Sequence, residues 1–489
     1  MRNLYLLLFS ICLLGACQRK TPLQLTQLDT VRLADSWLKV EVLADSLVVP
    51  WDLEVDSEGF IWVAEQEGKV SRINLETGEK KVMLVLTDVW QHRTSGLLGM
   101  AVHPDFDKNP FVYLNYTARQ DSVITSRLFR YTLDKEKLTD GQLLLEIEGG
   151  TSHNGSRLAF GPDGKLYWAT GDTHDFAYAQ DDLKLNGKIL RMYADGSIPA
   201  DNPDASSYVW AKGFRNMQGL TFSDRGLLYT SEHGDAIEDE INLIERAGNY
   251  GWPKIEGKHD LPTERTFAAA NQAIEPIRSW TPVIAPAGLT FYGKKEIAEW
   301  TNSLLLTTLK GKSLRILQLN KDGKSILEEE ILFENHYGRL RDVAVGPSGE
   351  IYLSTSNRDW NPQPGFPLDG DDKILKISVT DRLNSSALEV SAAQESLVLS
   401  GKQLYQNYCA SCHKEDGSGV PGVFPALAGS GITTGDAGPL VRLVVEGKDQ
   451  MPAFGFLSNG ETAEILSYIR QNWGNRLSGI SSQQVEENR

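Results

Sequence analysis

Between Trp37 and Ile377 one short unit recurs six times: a turn built on Gly or on Asn, then an apolar strand of four or five residues ending in Ser, Thr or Ala, then polar residues. Asp56-Ser57-Glu58-Gly59 precedes FIWVAE, Asp107-Lys108-Asn109-Pro110 precedes FVYLNY, and Pro162-Asp163-Gly164 precedes KLYWATGD. Asp224-Arg225-Gly226, Thr301-Asn302 and Pro347-Ser348-Gly349 stand before LLYTSEHG, SLLLTTLK and EIYLSTSN. Gly supplies positive φ in such turns, and Asp or Asn bonds its own backbone two residues on. The segments after them are rich in β-branched and aromatic residues, which suit a pleated, buried surface. The spacing, roughly 47 to 76 residues, is that of one small sheet per copy, and no amphipathic helical pattern is expected between copies. A single such sheet cannot bury both faces, whereas a radial array buries them all. The expectation is an all-β six-bladed β-propeller over residues 36–380. A pair of β-sandwiches accounts for the strands but not for their recurrence.

Near the C-terminus stands Cys409-Ala410-Ser411-Cys412-His413, the C-x-x-C-H pattern of covalent haem c attachment. Two thiols three positions apart reach the two vinyl groups of one haem, and the following His ligates the iron from below. The second axial ligand is expected from Met451, thirty-eight residues beyond His413 and ahead of Pro452. Structural zinc is the competing reading, but it takes four protein ligands, and no cysteine follows Cys412. Around the motif, Gly401 to Tyr408 reads as a helix with Leu404, Tyr405 and Tyr408 on one face. Ser458 is placed to cap a second helix, Glu461 to Trp473, with Ile465, Leu466, Ile469 and Trp473 at helical spacing. The stretch 398–475 resembles a class I cytochrome c, all-α, which implies Cys409 and Cys412 as thioether links, His413 as proximal ligand and Met451 as distal ligand.

Residues 1–16 hold Arg2, an apolar run from Leu4 to Leu14, then Gly15-Ala16 before Cys17, the form of a bacterial lipoprotein signal peptide. The run is too short to span a membrane. Cys17 is the expected acylation site, which places the protein on the bacterial envelope, at the periplasmic or outer-membrane face. Cys12 leaves with the signal, Cys17 takes lipid and the last two cysteines take haem, so none remains for a disulfide. Residues 17–35 and the Ser/Ala/Glu-rich stretch 381–397 read as linkers, and 476–489 as a tail. The net charge of −16, from 65 acidic and 49 basic residues, argues against a nucleic-acid partner.

A cytochrome carries electrons and generates none, so the larger domain is expected to be their source. It has no Rossmann glycine pattern and no cysteine cluster, which leaves a noncovalent organic redox cofactor. His153-Asn154-Gly155-Ser156-Arg157-Leu158, then Gly161-Pro162-Asp163-Gly164 and Gly171-Asp172, resemble the soluble quinoprotein sugar dehydrogenases. The likeness continues through Gly96-Leu97-Leu98-Gly99, Phe214-Arg215-Asn216-Met217-Gln218-Gly219, Ser231-Glu232-His233-Gly234, Asp239-Glu240-Ile241-Asn242, Asn249-Tyr250-Gly251-Trp252-Pro253, Lys310 and Arg339-Leu340-Arg341-Asp342. That family implies a six-bladed propeller binding pyrroloquinoline quinone (PQQ) and calcium, with a sugar as substrate and a downstream redox protein as electron acceptor.

The resemblance implies His153 as general base, a task suited to neutral imidazole, and Asp172 as the carboxylate that fixes its tautomer. Arg215 is implied beside the reactive carbonyl and substrate, and Asn216 beside the cofactor. Lys310, Arg339 and Arg341 are the implied cations for a tricarboxylate ligand, a geometry that Arg matches. Calcium, which takes oxygen ligands, is implied on the main-chain carbonyls of Gly234 and Asp235, and a second calcium near Asp239, Glu240 and Tyr250. Thr94 replaces a Gln or Glu, Val283 a hydroxyl residue and Asp235 a frequent Pro. A calcium-dependent lactonase and a glycan-binding propeller with a relay cytochrome are the other functions considered.

Overall fold

The computed structural model describes residues 25–235, 237–381, 387–392, 400–448 and 451–489. The stretch expected to be a signal peptide, residues 1–16, and Cys17 lie outside the described residues. Six sheets surround one axis, and their first strands, Pro50–Val55, Leu97–Val102, Gly155–Phe160, Met217–Phe222, Pro286–Tyr292 and Leu340–Val345, touch in a closed ring. They define blades 1 to 6. The six segments singled out in the sequence are the second strands, each antiparallel to its blade's inner strand. Gly59, Gly164, Gly226 and Gly349 in the turns have φ of 82°, 71°, 78° and 96°, and Asn302 has φ of 65°. These are left-handed conformations that Gly and Asn adopt at low cost.

An aromatic ring from five of the six second strands, Trp62, Tyr113, Trp168, Tyr229 and Tyr352, is fully buried. Each fills the wedge between neighbouring blades, removing roughly 150–250 Å² from water. Trp62 thus packs with Phe106 of the next blade at 6.0 Å.

The ring is closed by pairing chain start to chain end. Trp37–Ala44 pairs antiparallel with Ile374–Val379, matching Val40 to Ile377, and Thr26–Arg32 adds a further strand outside it. This corrects the expected linker 17–35: from Thr26 it is sheet, and the Asp29 carboxylate accepts from Tyr337 Oη at 2.5 Å. Leu388–Glu389 and Ser391–Ala392 of the second expected linker pair with the outer edges of blades 6 and 5. One ten-residue helix, Pro262–Asn271, interrupts blade 4, contrary to the helix-free expectation. It is short and largely exposed, so it carries no apolar stripe for the sequence to show.

In the C-terminal domain Ser400 caps Gly401–Tyr408 and Ser458 caps Asn459–Gln471, each through a capping box. The helices cross closely, for a Cβ on Gly401 would lie 2.3 Å from the Glu464 carbonyl. The second helix stops before Trp473, whose φ of 54° turns its ring onto Tyr405 at 4.8 Å. The expected tail is part of the core: Ser482–Glu486 is helical, and Ile480 and Val485 pack with Leu466 and Val441.

Candidate active site

The recurring turns lie at one mouth of the channel and the singled-out residues at the other, where inner strands begin and second strands end. His153 precedes the inner strand of blade 3 and Asp172 follows the second strand of the same blade, so the β-hairpin brings them together across nineteen residues. His153 Nδ1 lies 2.9 Å from Asp172 Oδ1. The carboxylate accepts from nearby groups, so Nδ1 carries the proton and Nε2 keeps its lone pair. Asp172 is fully buried and also accepts from Trp252 Nε1 at 2.8 Å and from the His174 amide at 2.9 Å. His174, absent from the sequence reading, stacks on His153 with ring centroids 3.7 Å apart and meets Ser152 Oγ at 2.5 Å. Burial, then the Arg215 charge, then His174 hold the His153 pKa well below its usual value. The ring is therefore neutral at pH 7.

Arg215 and Asn216 enter from blade 4. The Glu232 carboxylate accepts from both of their amides, and Asn216 Oδ1 accepts from Gly155 N at 3.3 Å, tying blade 4 to the His153 loop. Arg215 lies over the Trp252 ring at 5.4 Å and donates to Asp235 at 2.6 Å, while its Nε, buried, has no acceptor. From blade 6, Arg339 donates to Asp359 at 2.7 Å, and Arg341 lies flat on Trp51 at 3.8 Å with Asp359 at 3.4 Å. Burial pushes Arg341 down to about 9; Asp359 opposes this, and Arg339 and Arg157 reinforce it. Burial lowers Lys310 of blade 5 as well. Burial depresses Lys310 and Arg341, and Arg339 and Arg341 share one carboxylate, so this mouth is short of anion. The residues therefore fit a flat, multiply carboxylated ligand. Thr94 Oγ1 is buried here without a partner, and Val283 is half-buried.

Gly234 and Asp235 form the loop after the second strand of blade 4. A Cβ on Gly234 would lie 1.8 Å from the Ile237 carbonyl, so only Gly fits. Asp239 pins this loop: its carboxylate accepts from the amides of Gly234 at 2.9 Å, Ile284 at 2.5 Å and Ala285 at 2.7 Å. Glu240 accepts from Gly257 N and Asn242, and Tyr250 Oη bridges Leu243 O and Glu245 N. Asp239, Glu240 and Tyr250 thus hold the loops around this mouth, and no group of three or more His, Cys, Asp or Glu able to hold a metal occurs among the described residues. Glu232, which stands in the Ser231–Gly234 motif but was given no role from sequence, is pushed up by burial together with Glu240, which reaches about 8.

In the C-terminal domain Cys409 ends the helix Gly401–Tyr408, and Cys412 and His413 lie on the turn Ala410–His413. His413 Nδ1 donates to the Pro425 carbonyl at 2.8 Å, which leaves Nε2 for a metal. Burial holds the Cys409 thiol up to about 12, with Lys310 opposing, so it is protonated, as a thioether precursor should be. Met451 packs half-buried against the same core. These residues fit a covalent haem. Lys310 Nζ donates to the Asn407 carbonyl and Lys414 Nζ to Asn361 Oδ1, so the two domains meet at the cation-rich mouth.

A family model described as glucose / sorbosone dehydrogenase matches residues 47–361, and one described as cytochrome C oxidase, cbb3-type, subunit III matches 396–469. Quinoprotein glucose dehydrogenase B of Acinetobacter calcoaceticus is 29% identical over 66% of this chain and 86% of its own. Aldose sugar dehydrogenase YliI of Escherichia coli is 29% identical over 66% of this chain and 91% of its own. The PQQ-bound aldose sugar dehydrogenase of Streptomyces coelicolor superposes with a TM-score of 0.61 at 33% identity, covering 70% of this chain and 98% of that one.

Proposed function

The chain belongs to the glucose/sorbosone dehydrogenase family and carries a cbb3-type cytochrome c domain, and from this premise we propose that it is a quinohaemoprotein aldose dehydrogenase. It oxidises the C1 hydroxyl of a sugar hemiacetal to the lactone and passes the electrons to covalent haem c. One observation carries this reading: a neutral His153, fixed by Asp172, stands in the same buried mouth as Arg215 and as Arg339 and Arg341, two cations that share the single carboxylate of Asp359.

His153 Nε2 takes the hydroxyl proton as the C1–H bond breaks. Asp172 holds Nδ1–H, so the ring stays in the tautomer that presents a lone pair, and it stabilises the imidazolium that forms. Arg215, between Trp252 and Asp235, is placed to steady negative charge on the oxygen side of the reaction. Bound PQQ supplies the acceptor for the C1 hydride and afterwards a source of single electrons. Lys310, Arg339, Arg341 and Asn216 are its proposed protein contacts. The carbonyls of Gly234 and Asp235 are the proposed ligands of one calcium. Cys409 and Cys412 are proposed to bond the haem, with His413 and Met451 as iron ligands and a redox protein outside as final acceptor. Cys17 is proposed as the lipid anchor on the bacterial envelope.

Loading the cofactor-free protein with PQQ and calcium should switch on sugar-dependent reduction of an artificial dye. His153→Gln should slow that reaction by about 10² to 10⁴, with PQQ binding retained because the cations are untouched. Loaded protein that oxidises no sugar in a panel of aldoses, or hydrolyses lactones instead, overturns the reading.

A further inference from the structure

We propose that the loops after the second strands of blades 5 and 6 form the docking seat of this chain's own cytochrome domain, and that electrons leave the propeller across this seam. On the propeller the seat comprises Lys310, Lys312 and Asn361. On the cytochrome the facing residues all lie within nine positions around the haem-binding motif. Asn407 accepts from Lys310, Lys414 donates to Asn361, and Glu415 acts electrostatically on Lys312. Asn407 and Lys414 flank Cys409, Cys412 and His413 in the chain, so the haem-binding turn lies beside the cofactor mouth.

The connection between the domains limits them to this side. Ser391–Ala392 is stitched to the outer edge of blade 5, and the cytochrome helix is capped at Ser400. Eight residues, fully extended, span at most about 29 Å. The cytochrome is therefore held beside blades 5 and 6, within reach of this mouth. The seam is polar, with a lysine from each side meeting a neutral oxygen on the other, as suits a contact that must form and release.

This inference rests on the dehydrogenase reading for what crosses the seam. Each turnover yields two electrons from the C1–H bond, with the hydroxyl proton on His153. A haem held by Cys409, Cys412 and His413 would supply a one-electron acceptor, regenerated between transfers by an external one-electron oxidant.

The test is a charge reversal in the full-length, haem-containing protein. Without PQQ, carbodiimide should form an amide between Lys312 and Glu415, detectable by peptide mass mapping. Lys312→Glu should abolish that cross-link, and Lys312→Glu with Glu415→Lys should restore it. In protein loaded with PQQ and calcium, Lys312→Glu should slow haem reduction by sugar at least about tenfold, a loss of 1.4 kcal/mol from the docked state, and the double reversal should recover it. Glu415→Lys alone, an exposed change on the cytochrome that leaves the propeller's cations untouched, should keep dye reduction within about twofold. Absence of the wild-type cross-link, or haem reduction indifferent to Lys312→Glu while dye reduction proceeds, overturns the docking seat. Wild-type protein that reduces neither dye nor haem with sugar sinks the dehydrogenase reading instead, and the cross-link then decides the seat alone.

Discussion

Arg157 and Arg341 are buried alike, at 7% and 3% exposure, on inner strands of blades 3 and 6, yet their surroundings treat their charge in opposite ways. Burial opposes the charge of each. For Arg157 the carboxylates of Asp342 and Asp52, at 3.1 and 2.7 Å, more than offset it, and its pKa rises. Arg341 has one carboxylate, Asp359, at 3.4 Å and shared with Arg339, and its pKa falls to about 9. A buried charge that is fully paired is part of the architecture. One left short of counter-charge costs stability in the free protein and is held ready for a ligand. Charge balance thus separates the residues that build the channel from those that work at its mouth.

The comparison breaks first at Arg157. Arg157→Met strips the shared cation from Asp52 and Asp342 and should cost about 3–5 kcal/mol of unfolding free energy, as breaking buried pairs does. Chemical denaturation measures it, and an unchanged midpoint would mean that Arg157 is not structural.

Arg341→Met should act in the other direction. PQQ binding should weaken by about 2–5 kcal/mol, the usual cost of truncating one member of a buried charge pair, as read by fluorescence titration. The cofactor-free protein should be no less stable and gain slightly at neutral pH. The sign follows from linkage: the unfolded chain holds this proton more tightly than the folded one, so the penalty is fully present below about pH 9 and fades as pH rises above it. A variant that binds PQQ normally but unfolds more easily would make Arg341 a second Arg157.

Asp359→Asn sharpens the contrast. It removes the negative charge that Arg339 and Arg341 share, Asn Oδ1 remaining only as a neutral acceptor, and should destabilise the cofactor-free protein by about 1.5–3 kcal/mol, the worth of hydrogen bonds to charged groups. Saturating PQQ should recover most of the loss by mass action. Thermal unfolding with and without PQQ decides it.

The legible and illegible parts divide along a related line. The second strands could be read because each carries its own turn and five of the six their own buried ring, both local in sequence. Thr26–Arg32 could not, because its pairing with Trp37–Ala44 is made worthwhile only by the closure onto Ile374–Val379, more than 300 residues away. Ser482–Glu486 is too short to show periodicity and is helical because Val485 finds the core. At the site, His153 and Asp172 stood out by motif, and the haem residues by contiguity. Asp359 and the role of Glu232 did not, since each residue works by accepting from a partner that only the folded blade sets beside it. His174 had one faint signal, its place two residues after Asp172 in a turn where Thr173 and His174 both have positive φ.

The smallest effect concerns the base itself. His153 sits in the same positive field as Arg341 and its pKa is likewise depressed, but there the depression is useful, because only neutral imidazole accepts a proton. Removing His174, the weakest of the three causes, should raise the His153 pKa by less than about one unit, or 1.4 kcal/mol. The imidazole signals of cofactor-free His174→Asn, followed by NMR through an acid titration, measure this shift. Loading PQQ should move His153 in the same direction, since bound carboxylates offset the charge of Arg215. Because the folded pKa lies below the unfolded one, stability through this group should fall as pH drops from about 6.5 toward the folded value. If PQQ left the His153 pKa unmoved or lowered it, the carboxylates would be bound out of reach of Arg215, and the mouth's missing anion would have to be sought elsewhere.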